Sequence, residues 1–490
     1  MTAWLEPLPD AEAMRAIDRW AIEERGIGSL DLMERAGEGL ARVIAETVAD
    51  GPVAAVCGKG NNGGDGLVAA RLLRAARREV RVLLLDENLS ADAAVNLERL
   101  DGVEAFAPPR LEGAAVVIDA VLGTGFAGAP RERARAAIDA INASGVPVVA
   151  ADVPSGVDAS TGEVAGAAVR AVATATFARA KPGLWIEPGK SHAGTVQVVD
   201  IGIPEGAPGT PDVWLIGDAV LAQIPRRERN STKFASGHVL VCGGSPGLTG
   251  APSMACEAAM RAGAGYVTAC VPQALMSVFE TRLLEVMTTG LPPDGAADVV
   301  LEKSERGGAL VVGPGMGRTK DAEALARDLA RRAEVALVLD ADGLNAHAGR
   351  LDDLRGRRAP TILTPHEGEL GRLLGAGSDE IKARRLHHAR DAARRSGAIV
   401  VLKGDDTLVA EPGGRVAVNP GATPALATAG TGDVLSGVLA AMLAKGMEPF
   451  AAACAGVHLH ARAGRLAAER IGAEGVIASD VIAALPAARG

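Results

Sequence analysis

Aromatic side chains are scarce: one Tyr, four Trp and six Phe in 490 residues. That is too few to build the stacking platforms that hold single-stranded nucleic acid. Positive charge is in deficit too, with 51 Lys and Arg against 60 Asp and Glu and a formal net charge of -9. Neither nucleic acid nor an anionic membrane is the expected partner of such a chain. No apolar run approaches the ~18 residues that suggest a membrane span. The opening MTAWLEPLPDAEAMRAIDRW carries acids early and lacks the apolar stretch of a secretion signal. Cysteine is sparse and scattered: Cys57, Cys242, Cys256, Cys270 and Cys454 form no CxxC pair, and Cys57, Cys242 and Cys270 lie in apolar, strand-like runs. Reduced, buried thiols in a cytoplasmic protein are expected.

What is abundant is small and apolar. Hydrophobic residues make up 48% of the chain and 61 residues are glycine. At this length more than one core is expected, hence two domains or more. The stretch Asp200 to Val213, DIGIPEGAPGTPDV, is dense in Pro and Gly and has no periodicity. It is the candidate linker, and the expected domains are 1–207 and 208–490. Helical periodicity covers Ala11 to Glu24 and Leu30 to Ala49, and short apolar runs predict strands near 53–57, 80–85, 115–119 and 146–151, with a last one at 194–200. In the second half strands are predicted at 238–242, 265–271, 309–313, 335–340, 361–364 and 398–402, and helices at Asp321 to Glu334 and Ile381 to Ser396. Such alternation implies an α/β protein with parallel sheets covered on both faces.

Chemistry in such folds gathers where strands end, at the C-terminal edge of the sheet. The first predicted strand ends in GKGNNGGDG, residues 58–66. Gly58-Lys-Gly60-Asn-Asn-Gly63 is a GxGxxG match, and Asp86 closes the next strand about where a ribose-binding acid would sit. A dinucleotide site is therefore one reading, a ligand-free tight turn another. No Gly-Lys-Ser/Thr follows, which excludes a Walker A loop. Asn61, Asn62 and Asp65 add side-chain oxygens that a plain phosphate cradle does not need. Two further strand ends read VVIDAVLGTGF and VVAADVPSG. Asn62, Asp119 and Ser155 could converge as hard oxygen ligands for an alkali or alkaline-earth cation. Taken singly, Asp119 and Asp152 could cap helices and Ser155 could make a turn.

In the second half, Gly430-Thr-Gly432-Asp433 opens an apolar helix. Amides there can stabilise a developing anion, and the carboxylate can take a proton from an attacking hydroxyl, a pairing suited to phosphoryl transfer. Lys403-Gly-Asp-Asp-Thr407 follows a strand and could hold nucleotide phosphate. Gly313-Pro-Gly315-Met-Gly317 lets a large ligand approach the backbone. His366, in TPHEGE, reads first as a helix cap. His387 and His388, on an Arg-rich helix, read as surface residues.

These motifs carry a family resemblance. GKGNNGGDG, VVIDAVLGTGF and ADVPSGVD together resemble the NAD(P)H-hydrate epimerase family (the YjeF N-terminal domain). GGSPGLTGA, GPGMG, TPHEGE, KGDDT and GTGD resemble the ADP/ATP-dependent NAD(P)H-hydrate dehydratase family. The resemblance spans nearly the whole chain. It implies two three-layer αβα domains, the first Rossmann-like and the second ribokinase-like. It also implies repair of hydrated NADH and NADPH: epimerisation of the R and S hydrates, then dehydration of the S form with ADP as co-substrate, giving AMP and phosphate.

By matching motif, Asn61, Asn62, Gly63, Gly64 and Asp65 would contact the hydrate in the epimerase site. So would Gly123, Thr124, Gly125, Phe126, Ala127, Gly128 and Ala129. Asp152 would bind it and move protons. Potassium would sit on Asn62, Asp119 and Ser155. In the dehydratase, Ala251, Gly315, Gly317, His366 and Asp433 would face the hydrate, with Asp433 catalytic. Lys403, Gly404, Asp405, Asp406, Thr407 and Gly432 would face the adenine nucleotide, which brings magnesium. One departure is Thr232-Lys-Phe-Ala-Ser-Gly237, where the family often has Lys-Gly-x-x-Gly. The resemblance leaves room for a homo-oligomer. The rival reading is a small-molecule kinase whose first half binds a dinucleotide without catalysis.

Overall fold

The computed structural model describes residues 3–209, 211–421 and 423–490; Thr210, in the candidate linker, lies outside them. The chain forms two compact units. One is Pro7–Val213; the other is Trp214–Gly490 together with the opening residues up to Glu6.

The Pro7–Val213 unit is built on a seven-stranded sheet ordered Val103–Ala105, Val80–Leu84, Val53–Cys57, Val116–Ala120, Val148–Ala151, Ala173–Phe177, Thr195–Val199. Every pairing is parallel. The strand Val53–Cys57 is buried along its whole length, as a sheet covered on both faces requires. The helix Ser29–Thr47 buries Leu40, Val43 and Ile44 completely, each contributing about 1.5–3 kcal/mol. Val53–Cys57 pairs with Val80–Leu84 on one side and Val116–Ala120 on the other. The chain reverses direction across the sheet there, opening a crevice above the strand ends where ligands bind in such folds.

The second unit holds an eleven-stranded sheet. Its order is Leu5–Pro7, Val213–Ile216, Val416–Val418, Leu408–Ala410, Ile399–Leu402, Thr361–Leu363, Ala336–Leu339, Ala309–Val312, His238–Cys242, Tyr266–Pro272, Met287–Leu291. From Met287–Leu291 to Ile399–Leu402 it is parallel. The next two pairings are antiparallel, which corrects the expectation of wholly parallel sheets: Leu408–Ala410 returns at once through a tight loop, leaving no room for a crossover helix. His238–Cys242 lies between Tyr266–Pro272 and Ala309–Val312, so this sheet has a reversal point of its own. The predicted helix 381–396 is two, Ser378–Ala383 and Arg385–Ser396. Arg384 separates them with ψ 48°, because Arg385 turns inward to pair with Glu367 and Asp406. His388 is buried, not at the surface; it faces inward one turn after Arg385. All five cysteines are free and buried. Among the described residues, no helix is long and apolar enough to cross a membrane.

Candidate active sites

At the reversal point of the first unit the Gly58 loop and the Val121–Gly125 loop meet. A side chain on Gly58 would begin 2.1 Å from the Val121 carbonyl oxygen, and one on Gly63 would begin 2.0 Å from the Gly58 carbonyl oxygen. Bare backbone is therefore required, and the helix Asn61–Ala75 can start directly at the strand end. Above it opens a cavity of about 990 Å³, the size of a cofactor site. Asn61, Asn62, Asp65, Thr124, Phe126 and Asp152 are among its walls, as are Gly123, Gly125, Ala127 and Ala129. Gly63, Gly64 and Gly128 do not line it; Gly63 and Gly64 turn toward Gly58 and Met33.

Asp152 is held from several directions. The Lys181 ammonium donates to its Oδ1 at 2.6 Å, the Thr124 amide donates to Oδ2 at 3.1 Å, and the Thr124 hydroxyl also donates to Oδ2. Its backbone takes φ +67°, a conformation non-glycine residues pay for and which persists where surroundings fix it. Burial would raise its carboxyl, but Lys181 and Thr124 hold it below the ordinary value. Asp152 therefore stays ionised. Lys181 is 1% exposed and also donates to Thr176 Oγ1 and the Phe177 carbonyl. Sequence reasoning missed it because the strand that delivers it, Ala173–Phe177 (ATATF), is too rich in Ala to read as one. Asp18 was missed as well: it sits between Met14 and Ile22 on one face of the helix Ala11–Glu23 and lines the same cavity. The signal was an acid inside an apolar stripe at i, i+4, i+8 spacing.

Asp119 and Ser155 lie underneath, both fully buried. The Ser155 hydroxyl donates to Asp119 Oδ1 at 2.6 Å and its amide to Oδ2 at 2.8 Å. Burial pushes the Asp119 carboxyl up to about 6 against the pull of those bonds. Neither Asp119 nor Asp152 caps a helix. Beside them, Asn62 Oδ1 lies 3.3 Å from where a Gly123 side chain would begin. Both polar atoms of the Asn62 side chain are buried without a hydrogen-bond partner.

In the second unit the unusual residues again stand at strand ends, but tied to one another. Asp340, which follows Ala336–Leu339 and is 2% exposed, accepts from Lys403 Nζ at 3.1 Å, Thr364 Oγ1 at 2.8 Å and Ser436 Oγ at 2.7 Å. Glu369 lies 3.5 Å from the same ammonium. Burial would lower Lys403, but Asp340 and Glu369 reverse that and raise it. The Lys403 ammonium lies 3.6 Å from where a Gly432 side chain would begin, so it faces the start of the helix Thr431–Ala444. Gly430 caps that helix at φ +93°, and Asp433 occupies its first turn. Burial, then the negative charge of Asp340, pushes the Asp433 carboxyl up to about 7. Asp340 and Ser436 were not foreseen; the legible signal was an acid closing the strand ALVLD.

The GPGMG loop packs bare against its neighbour. A side chain on Gly315 would begin 2.3 Å from the Leu248 carbonyl oxygen, and Ser245 Oγ donates to the Gly315 carbonyl at 2.9 Å. The Gly317 amide donates to Asp342 at 2.9 Å. Ala251 lies in the first turn of Gly250–Arg261. His366 is a cap: its Nδ1 accepts from the Gly368 amide at 3.0 Å, and Glu369 accepts from the His366 amide, while its ring remains half exposed. In KGDDT, the Thr407 hydroxyl donates to the Gly404 carbonyl at 2.7 Å and Asp405 is exposed. Asp406 is turned inward onto Arg385 at 2.8–2.9 Å.

Two family models match the chain: NAD(P)H-hydrate dehydratase over residues 239–487 and YjeF-related protein N-terminus over residues 29–183. The bifunctional NAD(P)H-hydrate repair enzyme Nnr of Moorella thermoacetica is 41% identical, over 98% of this chain and 96% of its own length. Its namesake from Salinibacter ruber is 42% identical, over 98% and 95%. A solved ribokinase-like superfamily protein from Enterococcus faecalis superposes with a TM-score of 0.51 at 23% identity, covering 58% of this chain and 98% of that one. That last likeness is one of fold.

Proposed function

The chain belongs to the family of bifunctional NAD(P)H-hydrate repair enzymes, and from that membership we propose how its two sites divide the work. The cavity of the Pro7–Val213 unit interconverts the R and S hydrates of NADH and NADPH. The cluster around Asp433 dehydrates the S form at the expense of ADP, releasing AMP and phosphate.

The observation that carries the second assignment is Asp433 beside Lys403 at a helix start. A carboxyl pushed up to about 7 is matched to accepting a proton near neutral pH. Asp433 takes the proton of the ring hydroxyl as its oxygen attacks the terminal phosphorus of the nucleotide. The amides from Gly430 to Gly432 and the Lys403 ammonium stabilise charge on the transferring group. Phosphate then leaves with the ring oxygen, and the ring double bond re-forms as the neighbouring carbon loses a proton. Lys403 to Thr407 holds the nucleotide through backbone amides and the ammonium; the Asp406 side chain serves the loop from behind, through Arg385.

Asn62, Asp119 and Ser155 fit an alkali cation. An amide oxygen buried without a partner and a carboxylate with a hydroxyl beneath it are hard donors of low total charge. Potassium held there would supply positive charge beside the loops that carry Thr124 and Asp152. For magnesium the fit is different. Among the described residues no group of three or more His, Cys, Asp or Glu is placed to hold a metal, and Asp340 and Glu369 already engage Lys403. Magnesium would arrive on the nucleotide phosphates, as it commonly does, and offset their charge.

The test is recovery of reduced-nicotinamide absorbance from an R/S mixture of NADPH hydrate, with ADP or ATP supplied separately. Full recovery is expected, faster than spontaneous epimerisation allows, with free phosphate released in step. Recovery that stalls at the S fraction removes the first assignment. Accumulation of a stable phosphorylated product returns the second unit to the kinase reading.

A further inference from the structure

Asp18, Asp65, Asp152 and Lys181 all line the cavity of the first unit. Asp152 and Lys181 are committed to each other at 2.6 Å. With that pair ionised the four-residue set is neutral, and a further ionised carboxyl would add unbalanced charge to a half-buried space. Asp18 and Asp65 accordingly carry raised carboxyls. Burial comes first for both, with Asp152 adding to the rise and Lys181 opposing it. Asp65, 9% exposed, is raised well above the ordinary carboxyl value by burial first. Asp18 is less deeply placed and can exchange its proton.

Asp18 comes from a helix that lies outside the residues matched by the family model, which begins at residue 29. Met14 and Ile22, one turn to either side, line the cavity with it, so the helix presents a carboxyl flanked by apolar side chains. The charges that act on Asp18 are Lys181 and Asp152, while Asp18 in turn acts on Asp65. Arg15 on its own helix, Lys59, Asp86 and Asp92, and Arg131, Glu132 and Arg133 also stand on the wall.

The substrate chemistry asks for such a group. Water added across the ring double bond leaves a hydroxyl on the carbon beside the ring nitrogen, and inversion of that carbon through an iminium breaks its C–O bond and re-forms it on the other face. We propose, resting on the epimerase reading above, that Asp18 is the acid of this step. Its carboxyl protonates the hydroxyl, the C–O bond breaks and water departs, and the nitrogen lone pair forms the C=N bond of an iminium beside the Asp152 carboxylate. Water then adds to the opposite face, and its proton returns to the Asp18 carboxylate by exchange through solvent. No oxidant or further reactant is consumed.

The test uses the full chain, pure S-NADPH hydrate and no nucleotide, so that dehydration is off, with epimer ratios followed by chromatography in H₂¹⁸O. The wild type is expected to incorporate one ¹⁸O per inversion. Asp18→Asn is expected to lose at least about 100-fold in kcat, with KM little changed. Asp18→Glu should restore part of the rate, with its alkaline limb moved. With ADP added, Asp18→Asn should dehydrate the S form at the wild-type rate, and a thermal unfolding profile matching that of the wild type should certify the fold of the first unit. Epimerisation by Asp18→Asn within about tenfold of wild type overturns the proposal, as does inversion without ¹⁸O uptake. A wild type that does not epimerise at all sinks the epimerase reading itself, a separate failure.

Discussion

In the first unit the carboxyls stand in an open cavity, where, among the described residues, Asp152 is ion-paired and Asp18 and Asp65 are not. Around Asp433 the arrangement is inverted. Asp340, Lys403, Glu369, Thr364 and Ser436 satisfy one another, and Asp433 alone is left to find its proton elsewhere. Both sites sit at the ends of parallel strands and both use glycine to bring loops against bare backbone. What differs is where the charge is balanced: by a single buried ion pair in one unit, by a network in the other. A pair fails when either member goes, whereas a network redistributes.

The largest effect is therefore expected at the pair. Asp152→Asn should abolish epimerisation, by about 10²–10⁴-fold or more. It should also leave the Lys181 ammonium, 1% exposed, without its counter-charge, at a cost of about 3–5 kcal/mol. Thermal unfolding of the full chain should show an early transition, and dehydration of the S hydrate with ADP at low temperature should persist. Normal R-to-S conversion in this variant would remove Asp152 from the mechanism.

Next in size is Asp433→Asn. Turnover should fall about 10²–10⁴-fold while calorimetric ADP affinity stays near that of the wild type, because Lys403 and its partners remain in place. Retained turnover would show that another group takes the proton.

A smaller effect tests whether the network tunes its neighbour. Asp433 must be ionised to accept a proton, and its carboxyl is pushed up to about 7. The dehydratase kcat/KM should accordingly climb as pH rises through that value and fall away below it. Asp340→Asn removes the negative charge that adds to the shift, so the acid limb should move to lower pH even if the maximum rate drops. A limb that stays in place would mean that burial alone sets the Asp433 carboxyl.

Much of this was legible in the sequence because the decisive residues are punctuation at strand ends. Glycine beside Asn or Asp after an apolar run has few structural uses, and strands such as VVAA and VLVC read clearly as buried. The central strands and both glycine loops follow from that pattern. What escaped is instructive. Ala173–Phe177 is a strand by context, since alanine has little preference for one, and missing it hid Lys181. Met287–Leu291 and the antiparallel pair near residues 408–418 are short and depend on their neighbours. Asp340 and Asp18 belong to no motif: one is marked only by closing an apolar strand, the other only by an acid on an apolar helix face, and each matters through what the fold brings opposite.

The smallest expected effect separates two roles that one side chain holds together. His366 caps the helix Glu367–Leu374 through Nδ1, and this cap places Glu369 beside Lys403; its half-exposed ring sets Nε2 3.6 Å from Glu369 Oε1, past hydrogen-bond distance, where a ligand could engage it. Alanine would remove both functions and decide nothing. Asparagine is among the best N-cap residues and keeps an acceptor near the Gly368 amide, but it is too short to reach where Nε2 ends. His366→Asn should unfold within about 0.5 kcal/mol of the wild type. Losing one hydrogen bond to substrate, worth about 1 kcal/mol, should raise KM for the hydrate roughly fivefold. An unchanged KM at unchanged stability would make His366 a cap alone. It would then belong wholly to the network that holds the second site together, and the hydrate would rest on backbone and Asp433 instead.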